Sequence, residues 1–137
     1  IYEAIATLPD NLDQHEWLVQ SRIVRGEPWF LMKHVEGPVN AITKIYLLDR
    51  NEQYGYFRLE PLTGRQHQLR LHLNLIGCKI LNDRFYPVLQ PKRENDFTRP
   101  LQLLAKKLSF TDPISQEPME FYSTRTLAWE CGHLARF

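Results

Sequence analysis

The chain is poor in cysteine, in net charge and in long apolar runs, and each shortage excludes something. Only Cys78 and Cys131 occur among 137 residues, without C-x-x-C spacing. A reducing compartment and free thiols fit that usage, with a single disulfide as the alternative. Seventeen Lys+Arg against sixteen Asp+Glu leave a formal charge of +1. No global basic field announces a nucleic-acid partner, so any such partner must be held by local patches. No apolar run approaches membrane-spanning length, and no signal-peptide pattern occurs. There is no internal repeat, no low-complexity tract and no G-x-S-x-G nucleophile elbow. The opening "IYEAIATLP" carries no methionine and reads as a chain cut inside a strand.

What is present is enough for one domain. At 43% hydrophobic, 137 residues can bury a real core. Ile1 to Leu8 reads as a strand stopped by Pro9-Asp10-Asn11. Residues 11 to 28 are mixed and polar, an irregular excursion with an edge segment near Trp17 to Val19. Trp29 to Met32 is a short apolar strand, followed by a Gly37-Pro38 turn. Ala41 to Leu48 and Tyr54 to Leu62 are rich in aromatic and β-branched residues and form an antiparallel hairpin around a polar link. Gln90 to Arg99 is a charged loop. Leu101 to Phe110 and Met119 to Thr124 make another strand pair around "TDPISQEP". The tail from Leu127 has no clear period. The expected class is α+β, a mostly antiparallel sheet with one central helix.

That helix comes from "TGRQHQLRLHLNLIGCKILNDRFYP", Thr63 to Pro87. Leu69, Leu71, Leu73 and Leu75 alternate as in a strand, but the ends of the segment argue otherwise. Thr63 and Gln66 form a capping box, Gly77 suits the left-handed position past a helix end, and no β-branched residue intervenes before Ile76. A helix over about residues 64–76 follows. It has two apolar faces, Leu69/Leu73/Ile76 and Leu71/Leu75, with a polar stripe of His67, Arg70 and Asn74 between them. The stripe faces solvent or a cleft. Arg70, a cation set between leucines, favours the cleft, because a buried guanidinium needs an anionic partner. His67 and His72 lie five apart, roughly 140° around the helix, whereas zinc-binding helices use i, i+4 pairs.

This stretch resembles the most characteristic motif of the RluA-type pseudouridine synthases, Thr-Gly-Arg-x-His-Gln-(Ile/Leu)-Arg-x-His, followed by Leu-Gly and Gly-Asp-x-x-Tyr. "IYEAIA" resembles the family's tyrosine-bearing strand, "AITKIYLL" with "YGYFRLEPL" its hairpin, and "PLQLLAKKLSFTDPISQEPMEFYS" its closing strands. Four positions depart from the pattern. Cys78-Lys79 stands for a usual His-Pro, Asn82 for the glycine before Asp83, and Leu104 and Asp112 for histidines of the closing segment.

The resemblance implies an isomerase that breaks the uridine N-glycosidic bond, turns the base and rejoins it through carbon, with no cofactor and no metal. The partner is RNA, either rRNA or tRNA, with no membrane, and the enzyme works as a cytoplasmic monomer. Arg70 is then the arginine that keeps the catalytic aspartate ionised, as a guanidinium beside a carboxylate does. Tyr2 lies against the target base, and Leu103 forms part of the apolar wall. Arg65, His67 and Gln68 support the substrate site, while Thr63, Gly64 and Asp83 are structural. The family's nucleophile lies in an Arg-Leu-Asp-x-x-Thr-Ser-Gly segment preceding the tyrosine strand. Here only Leu48-Asp49-Arg50 echoes it, without Thr-Ser-Gly and on the wrong side of Tyr2. Residues 1–137 are therefore expected to be the C-terminal portion of a catalytic domain, inactive alone. The alternatives are a non-catalytic RNA-binding module of the same fold, using basic groups within 63–87 and 92–107 on phosphates, or a domain that packs only on protein.

Overall fold

The computed structural model of the chain describes residues 1–90, 99–130 and 132–134. Strands β1 (Tyr2–Thr7), β2 (Glu16–Arg25), β3 (Met32–Val35), β4 (Ala41–Arg50) and β5 (Tyr54–Pro61) precede helix α1 (Gln68–Leu75). After it come β6 (Leu103–Ala105), β7 (Lys107–Thr111), β8 (Pro118–Tyr122), β9 (Trp129–Glu130) and β10 (His133–Leu134). Six strands form one antiparallel sheet in the order β3-β2-β4-β5-β1-β6, while β7-β8 and β9-β10 are separate hairpins.

Alternation decides which face carries the helix. In β4, Ala41, Thr43, Ile45 and Leu47 are buried while Lys44 and Leu48 are exposed. Cross-strand pairing carries the same face outward through Leu59 opposite Ile45, Tyr2 opposite Leu59, and Leu103 opposite Ala4. Leu69 and Leu73 of α1 seal this face together with Ile45, Phe57 and Leu59. The opposite face is partly covered by Trp129, stacked on Tyr56. Cys78 is a free thiol within the core, and burial pushes its pKa up to about 11. Cys131 lies outside the described residues.

The expected class and the central hairpin match this architecture, but several boundaries move. Residues 11–28 contain a ten-residue strand, β2, lying inside the sheet between β3 and β4 rather than an irregular excursion. Its inward series is Trp17, Val19, Ser21 and Ile23, and the polar Ser21 interrupts the apolar signal. Trp29 to Leu31 is a turn, closed by the Leu31 amide on the Pro28 carbonyl, and the strand begins only at Met32. The segment 101–110 is two strands, because the Lys106 and Lys107 amides both turn onto the Ile1 carbonyl. The tail folds into β9-β10. Most of the loop expected at 90–99 lies outside the described residues.

The helix starts later than its sequence signals indicate. Thr63 does not cap it. Its hydroxyl oxygen accepts from the Ile42 amide at 2.9 Å, and its proton goes to Gln68 Oε1 at 2.7 Å. His67 occupies the N-cap position at φ 56°, so 63–67 is a loop and α1 begins at Gln68. The C-terminus ends as expected. The Gly77 amide reaches the Asn74 carbonyl and the Cys78 amide the Leu73 carbonyl, with Gly77 at φ 86°. Leu75 is half exposed rather than part of a second buried face.

Candidate active site

Arg70 leaves α1 away from the sheet and meets the loop that follows the helix. Its Nε donates to Asp83 Oδ2 at 3.0 Å and its Nη2 to Asp83 Oδ1 at 2.5 Å, a two-pronged clasp. The Asp83 side chain is fully buried and that of Arg70 only 13% exposed. Asp83 Oδ1 also accepts the Phe85 and Tyr86 amides, so one carboxylate fixes both the arginine and the turn. The guanidinium lies 4.7 Å from the Phe85 ring centre and 5.3 Å from that of Tyr86. Asn82 precedes the clasp at φ 67°, a left-handed conformation that asparagine tolerates in place of glycine.

The clasp leaves part of the guanidinium free. Of five N–H groups, Asp83 engages two, and among the described residues no other acceptor bonds Arg70. An open cavity of about 290 Å³ adjoins it, walled by Tyr2 of β1, Leu103 of β6 and Arg70, Leu69 and Gln68 of α1. Thr63, Gly64, Arg65 and His67 close one end. Arg65 Nε donates to the Asn40 carbonyl at 2.9 Å. His67 Nδ1 lies 2.8 Å from the Tyr86 hydroxyl, whose oxygen also accepts the Met32 amide. Burial, and then the Arg70 charge, lower the His67 pKa, with Asp83 opposing. Eight of the nine residues singled out in the sequence thus share one cavity, and Asp83 stands behind it.

Asp49 is not among them. It pairs with Tyr56 in register, at the end of β4 remote from Thr43 and Pro61. Six residues of strand put it about 20 Å from the cavity end. The Trp129 indole N–H donates to its carboxylate at 2.9 Å and holds the pKa below the usual carboxylate range. Of the basic groups at 92–107, Lys92 and Arg93 lie outside the described residues. Lys107 is paired with Glu120 at 3.4 Å.

Sequence reasoning missed a polar column beneath the cavity. Gln68 and His72 are an i, i+4 pair on the sheet-facing side of α1, and both are buried. Gln68 Nε2 donates to Thr43 Oγ1 at 2.8 Å, and His72 Nδ1 lies 2.7 Å from the same oxygen. His72 Nε2 lies 2.8 Å from Ser21 Oγ, which lies 3.1 Å from His34 Nδ1. The His34 and His72 rings stack with centres 6.0 Å apart. The available signal was the polar i, i+4 pair inside a leucine helix, together with Ser21 and Thr43 at inward strand positions.

Burial, and then the His34 charge, lower the His72 pKa from 6.5 to about 4. Between those values the unfolded chain takes up a proton that the folded chain refuses. Stability is therefore complete above pH 6.5 and is lost as pH falls toward 4, by on the order of 3 kcal/mol. Urea unfolding of the chain at pH 7, 6 and 5 measures this. A midpoint that does not move over that range contradicts a neutral, buried His72.

No family model matches the chain. It is 44% identical over 120 residues to the dual-specificity RNA pseudouridine synthase RluA of Yersinia pestis, covering 85% of this chain and 57% of that protein. It is 30% identical over 105 residues to an uncharacterized RNA pseudouridine synthase of Mycoplasma genitalium, covering 75% and 32%. The chain spans at most just over half the length of these curated relatives. Among solved structures, human RNA pseudouridylate synthase domain containing 1 superposes with a TM-score of 0.69 at 21% identity, over 90% of this chain and 53% of that one. Human RNA pseudouridylate synthase domain containing 4 gives 0.62 at 24%, over 90% and 56%. The fold is shared with both.

Proposed function

The chain belongs to the RluA-type pseudouridine synthase family, and on that premise we propose that it supplies one wall of a site converting uridine to pseudouridine in RNA. The observation that carries the reading is the convergence of Tyr2, Arg70 and Leu103, from three separate elements, on one open cavity. In this reading the free edge of the Arg70 guanidinium holds a nucleophilic carboxylate ionised. Tyr2 lies against the uracil and Leu103 backs it. Gln68 and His67 shape the cavity end, and Arg65, anchored to the Asn40 carbonyl, orders the loop there.

Asp83 cannot be that nucleophile, because it is fully buried and already accepts from Arg70 and two backbone amides. Asp49 lies about 20 Å along the strand from the cavity end, and among the described residues no Asp or Glu lines the cavity. In this reading the attacking carboxylate is supplied from outside these 137 residues, which serve as the C-terminal portion of the catalytic domain. Substrates are rRNA or tRNA, met in the cytoplasm by a monomer that uses no cofactor or metal.

The full-length gene product is expected to form pseudouridine in cellular RNA, read as carbodiimide-dependent primer-extension stops, and the 137-residue chain alone to form none. Turnover by the chain alone sinks the assignment of an external nucleophile. A second reading, a non-catalytic RNA-binding module, draws on the prior commitment of Arg70 to Asp83. It forecasts RNA binding without turnover in the full-length product.

A further inference from the structure

The column beneath the cavity admits one consistent placement of its hydrogens. His34 Nε2 faces the Leu71 carbonyl at 3.3 Å, and a carbonyl can only accept, so Nε2 carries a proton. With His34 neutral, its Nδ1 is a lone pair and takes the Ser21 hydroxyl proton. Ser21, having donated, accepts from His72 Nε2–H. The His72 Nδ1 lone pair then takes the Thr43 hydroxyl proton, and the Thr43 oxygen accepts from Gln68. Gln68 in turn donates to the Ile42 carbonyl and, through Oε1, accepts the Thr63 hydroxyl and the Arg65 amide at the cavity end. The bonds run in one direction, with both imidazoles neutral and protonated at Nε2.

We propose that Ser21 and His34, which lie outside the motif, are positioning residues that set the tautomer of His72 and, through Thr43, the hydrogen bonding of Gln68 on the cavity wall. The mechanism is a relay of donor and acceptor roles. The Ser21 hydroxyl gives its proton to His34 Nδ1, so its oxygen is left to accept and His72 is held with its proton at Nε2. A His72 carrying its proton at Nδ1 instead would donate to Thr43. Thr43 Oγ1 would then meet two donors, His72 and Gln68, and its own proton would have lost its acceptor. The choice made at Ser21 and His34 therefore reaches the side chain that holds the Thr63 and Arg65 loop.

Among the described residues no other ionisable group competes for His72. Lys33 of β3, Lys44 of β4 and Arg25 of β2 are exposed, Arg22 of β2 donates to the Pro38 carbonyl, and Arg70 of α1 is committed to Asp83 on the far side of the helix. That this column serves catalysis rests on the proposed activity. The relay itself does not, so the two fail separately.

Long-range proton–nitrogen NMR correlations on the nitrogen-15-labelled chain test it. At pH 7 both His34 and His72 are expected as neutral Nε2–H tautomers. In Ser21→Ala the His72 Nε2–H loses its acceptor, and His72 is expected to gain the Nδ1–H tautomer with the Gln68 side-chain amide signals moving alongside. Ser21→Thr is expected to restore both by returning the hydroxyl. A His72 protonated at Nδ1 in the unaltered chain at pH 7 overturns the proposal without any variant. So does a Ser21→Ala chain whose His72 tautomer and Gln68 amide signals are unchanged.

Discussion

Replacing Asp83 with alanine is expected to lower the unfolding free energy of the chain by about 3–5 kcal/mol, the scale for stranding one partner of a buried ion pair. The carboxylate is fully buried and holds two guanidinium nitrogens and two backbone amides at once. Its removal leaves a largely buried cation facing Phe85 and Tyr86, whose rings replace only part of the lost attraction. Asp83→Asn keeps one carbonyl oxygen for the backbone amides and costs less. Arg70→Met added to Asp83→Ala takes away the stranded charge and recovers part of the loss, the pattern of a coupled pair. Urea denaturation with a shared slope measures all three. Equal stability of Asp83→Ala and the unaltered chain excludes the clasp as a structural element.

How far this was legible in the sequence follows from which interactions are local. β4 and β5 were plain because each alternates strictly and a short polar link joins them. The helix C-terminus was plain because the Gly77 and Cys78 amides and the Asn74 and Leu73 carbonyls they reach all lie between residues 73 and 78. Its N-terminus was not, because the Thr63 hydroxyl is claimed by Ile42 of a distant strand and by Gln68, five residues on, instead of by Gln66. β2 was hidden by the same kind of long-range demand. Ser21 is polar at an inward position because it bonds His72 fifty-one residues later, and a strand read alone cannot reveal that partner. Tyr2, Arg70 and Leu103 were brought together by motif resemblance, and cross-strand register supplies the physical reason two of them share a face. Asp83, read from the motif as structural, is the partner that Arg70 meets.

In the full-length gene product, Arg70→Ala is expected to lower pseudouridine formation by about 10²–10³-fold, the cost of removing one preorganised charge from a reacting centre. Arg70→Lys recovers only part, because a single ammonium cannot clasp Asp83 with two parallel bonds and still present a second edge to the cavity. The difficulty is that Arg70 has two jobs. Its loss also strands the buried Asp83 carboxylate, so lost activity by itself could mean lost structure. The pair Arg70→Met with Asp83→Asn separates them. Both charges go together, the carbonyl oxygen of the introduced amide still accepts the backbone amides, and the methionine fills the space against Phe85, so folding is expected to survive. Activity is not, because nothing is left on the cavity side to hold a carboxylate ionised. A doubly substituted protein that unfolds at the normal urea concentration yet forms no pseudouridine assigns Arg70 to the chemistry. One that folds and keeps full turnover removes Arg70 from the mechanism and leaves it as the partner of Asp83 alone.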